Sequence, residues 1–331
     1  MTSPTRSRFP HPASMRSPRA MPLALLGPLS LAFLPFLAVL GALSAAEPQE
    51  SKINTVVSIL PQAYFVERVG AGRVAVQVLV GPGQSPHTFE PTPKQMADLA
   101  QARLYFGIGV PFETRLLDKI RAAYPDLRIV DTAQGIPLRQ MTESDEPEEP
   151  QGQAGRPPSL SDGAAQGQPD PHIWLDPMLV KIQARHICEA LSQTDPAHAS
   201  EYEANLEAFE ADLEALHGKI AESLAPLKGR ELFVFHPAFG YFAQRYGLKQ
   251  VAVETGGREP GARRIVALID QAKRRNVKVI FVQPQFSPKT ARAVAKAIGG
   301  VVAPIDPLAP DYLKNLETMA QRIQEGLSAE R

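Results

Sequence analysis

Residues 55–60, TVVSIL, and 74–80, VAVQVLV, are short β-branched runs, and the pattern they begin decides the fold. β-Branched side chains suit a pleated, half-buried strand, whereas apolar residues spaced three and four apart mark a helix. Between the two runs, Pro61–Val69 reads as one or two helical turns ending at Gly70. A second helix is predicted near Pro93–Ala102, a third strand at Leu104–Ile108, an amphipathic helix at Phe112–Tyr124 and a fourth strand at Leu127–Asp131. Strands alternating with helices at this pitch imply right-handed βαβ units around a parallel sheet.

The alternation restarts downstream. Strands are expected at Leu232–Phe235, Val251–Val253, Val277–Val282 and Val301–Pro304, with helices at Tyr241–Tyr246, Arg263–Arg275, Pro288–Ile298 and Tyr312–Leu327. The two series amount to a soft internal repeat. Between them, Met178–Ser192 is helical, and Asp195-Pro196 opens a long helical stretch from Ala197 to Leu224. Its apolar positions Leu206, Phe209, Leu213, Leu216 and Ile220 recur at helical spacing. A helix of that length spans about 40 Å, more than one crossover in a small sheet needs. It reads as a strut joining two domains, residues 47–195 and 227–331, through a linking helix at 196–226. His198 and His217 on it read as ordinary surface residues.

The termini and insertions follow from composition. Residues 1–46 read as a secretory signal: Arg6, Arg8, Arg16 and Arg19 without an acid, an apolar run from Met21 to Leu43, and Ser44-Ala45-Ala46 for cleavage near Ala46. No Cys lies near that site, so an exported protein without a lipid anchor is expected. Residues 142–169 carry Glu143, Asp145, Glu146, Glu148 and Glu149, then a Gly/Gln/Pro/Ser-rich tail, and read as a mobile acidic insert. A formal net charge of zero argues against nucleic acid as partner. The single Cys188 rules out an intramolecular disulfide and a Cys-rich zinc site, and reads as a small core residue.

Four residues share a topological position. His87 follows the second strand of the first series and His172 its fourth, while His236 follows the first strand of the second series and Asp306 its last. All four lie beyond the carboxyl ends of parallel strands, where open α/β sheets bind ligands. Each has a neighbouring proline: Pro86, Pro171, Pro237 and Pro307. His172 lies within DPHIWLDP (170–177), which holds the only Trp, and its two Asp-Pro pairs make a stiff extended turn. Three imidazoles and one carboxylate suit a divalent borderline metal, zinc before manganese.

Several segments together carry a resemblance. SPHTFEPTP (85–93), DPHIWLDP (170–177), FHPAFGYFAQRYGL (235–248) and VIFVQPQFSPKTARAVAKAIG (279–299) resemble the solute-binding proteins of zinc and manganese ABC transporters. That resemblance implies two four-stranded α/β domains joined by a rigid long helix, with metal held between them by His87, His172, His236 and Asp306. It also implies a periplasmic monomer that delivers zinc to a membrane permease. His236 at the third ligand position is similar to zinc-type members, whereas manganese-type members tend to carry Glu there. The acidic insert lacks the histidines that zinc-type members often have, and Gln283 and Gly261 stand where Glu and Ser are frequent in relatives. Other readings are a manganese- or iron-type binding protein, a metal-stabilised adhesin, and a zinc hydrolase with Glu254 as base.

Overall fold

The computed structural model describes residues 52–141, 169–254 and 260–328, within one compact unit, Glu50–Arg331. The expected signal segment, nearly all of the acidic insert and residues 255–259 lie outside the described residues. No helix among the described residues is long and apolar enough to cross a membrane.

The first half runs β1 (Ile53–Ile59), α1 (Leu60–Gly70), β2 (Val74–Val80), α2 (Pro93–Leu99), β3 (Leu104–Gly107), α3 (Pro111–Ala123) and β4 (Arg128–Asp131). α4 (Pro177–Thr194) and the long α5 (Ala199–Leu224) follow. The second half runs β5 (Glu231–Val234), α6 (Gly240–Tyr246), β6 (Lys249–Ala252), α7 (Ala262–Arg274), β7 (Val279–Val282), α8 (Lys289–Ala297), β8 (Val301–Pro304) and α9 (Tyr312–Ser328). The strands form two four-stranded sheets, ordered β2-β1-β3-β4 and β6-β5-β7-β8, and every pairing is parallel. The internal repeat is therefore a repeat of topology. In each sheet the chain steps one way to its second strand and the other way to its third, which leaves a crevice at the carboxyl edge.

Element boundaries depart from expectation where local chemistry intervenes. α1 is a full 11 residues, because Gln62 Oε1 accepts from Ser58 N at 3.0 Å and its Nε2 donates to Phe106 O at 3.1 Å, tying the first turn to β3. α2 starts on a capping box, Thr92 with Gln95, but stops at Leu99, where Ala100, Gln101 and Ala102 turn back toward β3. Val277 is buried yet precedes the paired strand, which begins at Val279. α5 begins at Ala199, after a single 3₁₀ turn, Pro196–His198. Neither histidine of the expected helical stretch is a plain surface residue: in the 3₁₀ turn His198 Nδ1 lies 2.7 Å from Asp195, and on α5 His217 packs half-buried against Tyr246.

The core explains why α5 is a strut. It buries Tyr202, Phe209, Leu213, Leu216, Ile220 and Leu224, and packs on α1 and α4 of the first half and on α9 of the second. Phe65 of α1 meets Phe209 at 6.0 Å and Tyr312 of α9 edge-on at 4.8 Å, so the two halves touch through aromatic rings beneath the helix. One apolar cluster thus runs through both halves. A second cluster, including Val251, Leu268, Ile280, Val294 and Ile298, lies where α7 and α8 cover the other face of the second sheet. Cys188 is buried and in no disulfide, as a small core residue.

Candidate metal centre

The site is built from three loops that leave carboxyl ends of strands. His87 lies in the loop between β2 and α2 and is half-buried. His172 starts the 3₁₀ turn 173–175 that leads into α4, whose first turn is capped by Asp176 accepting from Met178 N at 2.9 Å. His236 follows β5 and is buried. Their rings converge: each offers a nitrogen, and all three ligand atoms lie within 4.8 Å of one another. With Phe286, Trp174 and Leu308 they line one cleft between the halves.

Two of the three imidazoles are oriented by buried carboxylates. His172 Nδ1 donates to Asp170 Oδ1 at 2.7 Å, and the His172 backbone N–H donates to the same oxygen at 3.0 Å. His236 Nδ1 donates to Glu254 Oε1 at 3.1 Å. Gln283 brackets the His236 peptide, Oε1 accepting from its N–H at 3.1 Å and Nε2 donating to its carbonyl at 2.9 Å, and Phe286 stacks on the ring at 4.8 Å. With protons held on both Nδ1 atoms, both Nε2 atoms carry lone pairs, and these face each other at 3.4 Å. Two lone pairs at that distance repel unless a cation lies between them. Tetrahedral zinc with Zn–N of about 2.0–2.1 Å places its nitrogens about 3.3–3.4 Å apart. Outer carboxylates that fix the tautomer in this way are the usual support for histidine ligands.

Electrostatics agree. Burial, then the neighbouring His236 and His172, pulls His87 from the ordinary 6.5 down to about 2. Burial also lowers His236, against the opposing pull of Glu254. Neutral imidazole is the form that binds metal. A separate buried carboxyl, Glu113, lies at the carboxyl end of β3 with Ser58 and accepts from Gly109 N at 2.7 Å; burial pushes it up to about 7. It anchors the loop that continues into Val110 and Pro111 on the cleft wall.

The structure does not bring Asp306 into the group of converging nitrogens. Its Oδ1 accepts from Gln285 Nε2, in the loop after β7, at 2.9 Å and from Leu308 N, within its own loop after β8, at 3.0 Å. Reading the sequence missed Asp170 as a partner, because an Asp-Pro pair already accounts for it as a turn. Glu254 was legible only as a rival base, and here it is engaged with His236. Gln283 is not a candidate ligand, yet it brackets the peptide of His236, which is.

The family profile described as zinc-uptake complex component A, periplasmic, matches residues 55–326. The chain belongs to this family. Among relatives, the high-affinity zinc uptake system protein ZnuA of Brucella suis biovar 1 is 36% identical over 171 residues, which cover 49% of this chain and 51% of that protein. The match thus spans about half the length of that relative. ZnuA of Yersinia pestis is 29% identical over 261 residues, covering 76% and 82% of the two chains. A crystal structure of ZnuA superposes with a TM-score of 0.74 at 40% identity, covering 84% of this chain and all of that one. A ZnuA deletion mutant with zinc bound gives 0.73 at 41% identity, covering 83% and 98%. The periplasmic zinc-binding protein TroA of Treponema pallidum, at 22% identity and a TM-score of 0.70 over 84% and 99%, shares the fold.

Proposed function

We propose that this protein captures zinc outside the cytoplasm and hands it to the membrane permease of an ABC transporter. Zinc is cargo here, held by His87, His172 and His236, with Asp306 as an outer fourth donor that contributes less than any imidazole. The observation that carries the reading is the facing pair of Nε2 atoms, 3.4 Å apart, each presented by a carboxylate on its own Nδ1. A site of neutral imidazoles favours zinc over manganese, which prefers carboxylate-rich surroundings. Glu254 orients a ligand, which leaves it poorly placed as the base that a hydrolase needs. Membership in a zinc-uptake family and likeness to a zinc-bound relative support the same reading.

The test is a competition titration of purified protein. One zinc ion per chain should bind, and manganese at comparable concentration should not displace it. Displacement by equimolar manganese would overturn the choice of cargo, and absence of binding would overturn the function.

A further inference from the structure

The turn that carries His172 is continuous in sequence with the first half, yet it is bonded to the second. Tyr241 of α6 donates its hydroxyl proton to Asp170 O at 2.9 Å, while the Tyr241 hydroxyl oxygen itself accepts from Arg139 N at 2.9 Å. Trp174 Nε1 donates to Pro307 O at 2.8 Å, and Arg245 of α6 grips the Asp176 carboxylate at 2.7 Å. A Cβ on Gly240 would lie 2.9 Å from Asp170 Oδ2, so the start of α6 already abuts the carboxylate that orients His172. Among the described residues, no hydrogen bond ties the His87 loop, residues 81–92, to the second half in this way.

We propose that Tyr241 is a positioning residue for metal capture, fixing the Asp170 peptide so that His172 and His236 keep the spacing zinc requires. The inference rests on the zinc reading of the three imidazoles. His172 and His236 come from opposite halves, so their 3.4 Å separation depends on how the halves are registered. The path is short: Tyr241 hydroxyl, Asp170 carbonyl, Asp170 carboxylate, His172 Nδ1. Asp170, His172 and Tyr241 are all at most 4% exposed, so water is not at hand to replace a lost hydrogen bond. Removing the hydroxyl leaves Asp170 O and Arg139 N without this partner, and the carboxylate that holds His172 loses its fixed support.

The experiment compares wild type with Tyr241→Phe, Gly240→Ala, Asp170→Asn and the Tyr241→Phe/Asp170→Asn double variant. Zinc affinity is read by chelator competition, site geometry by the visible spectrum of bound cobalt(II), and stability by melting of the metal-free protein. Tyr202→Phe is the control, since its hydroxyl donates to Asp195 at the base of α5, away from the cleft. Tyr241→Phe should lose about tenfold in zinc affinity, the low end for an outer partner of a metal ligand. Its cobalt bands should shift, as should those of Gly240→Ala, whereas Tyr202→Phe should lower melting without moving them. In the double variant the Tyr241 effect should nearly vanish, because both substitutions act through one carboxylate. Gly240→Ala carries the test if Tyr241→Phe does not fold. Wild-type affinity and spectrum in both variants, or full additivity with Asp170→Asn, would overturn the inference. A wild type that binds no zinc overturns the functional reading as well.

Discussion

His236 and His87 reach the same point from opposite sides of the cleft, and they are held in opposite ways. His236 is buried, its ring nitrogen anchored by Glu254, its peptide bracketed by Gln283 and its face covered by Phe286. His87 is half-buried on a loop; among the described residues the aromatic rings beside it are the other two imidazoles, at centroid distances of 5.9 and 4.6 Å. Ordering a side chain before the ligand arrives lowers the entropy lost on binding. In the proposed zinc site the preset pair, His172 and His236, should therefore supply most of the standing affinity, and His87 should be the ligand that arrives last and leaves first.

The largest effect that could break this comparison comes from the ligands themselves. His236→Ala and His172→Ala should each cost more than the 10–100-fold that an outer partner is worth. His87→Ala should cost less equilibrium affinity but speed zinc dissociation the most, as seen by stopped-flow chelation. Equal dissociation rates in all three variants would erase the distinction between the walls. Next in size is Glu254→Ala, expected to weaken zinc binding about 10–100-fold while leaving the fold intact by circular dichroism. Glu254→Gln, which can still accept from Nδ1, should recover part of that loss; no recovery would mean the carboxylate does something other than orient the ring.

The smallest effect is on the pH dependence of stability in the metal-free protein. Burial holds His87 near 2 and lowers His236, so below about 6.5 the unfolded chain takes up protons that the folded one refuses. That contribution is present above 6.5 and is lost as pH falls. Glu113 works in the opposite sense: raised from 4.5 to about 7, it binds protons in the folded state first and favours folding as pH drops through that window. The two oppose each other in wild type, so the informative quantity is a difference. Urea unfolding of His87→Asn should show a smaller loss of stability between pH 7 and pH 5.5 than wild type does. An identical loss would mean that His87 is not held neutral by its surroundings.

Much of this was legible in the chain because the signals are local. Short β-branched and aromatic runs marked every strand to within a few residues, and three- and four-residue apolar spacing found α5. The position of His87, His172 and His236 after strands, each beside a proline, was enough to bring them together on paper. What the sequence hid was long-range pairing. Asp170 and His172 are close in sequence, but the tie from Tyr241 to Asp170 crosses 71 residues and that from Trp174 to Pro307 crosses 133. No periodicity encodes such contacts. Asp306 shows the same limit: its loop after β8 was legible, but the pull of Gln285, 21 residues away, and of Leu308 N on its oxygen could not be read from spacing.

α5 also bears on how the molecule comes apart. Since one apolar cluster passes from the first sheet through α5 and α9 into the second half, neither half has a private interior that it could keep alone. Calorimetry should therefore record the loss of this cluster as a single cooperative transition, with van't Hoff and calorimetric enthalpies in agreement. The layer of α7 and α8 is the exception, since its interior is its own. Amide protons there should exchange through openings smaller than global unfolding, while those of α5 wait for the whole chain to melt. A cut within α5 would strand both pieces, and neither fragment should refold without the other.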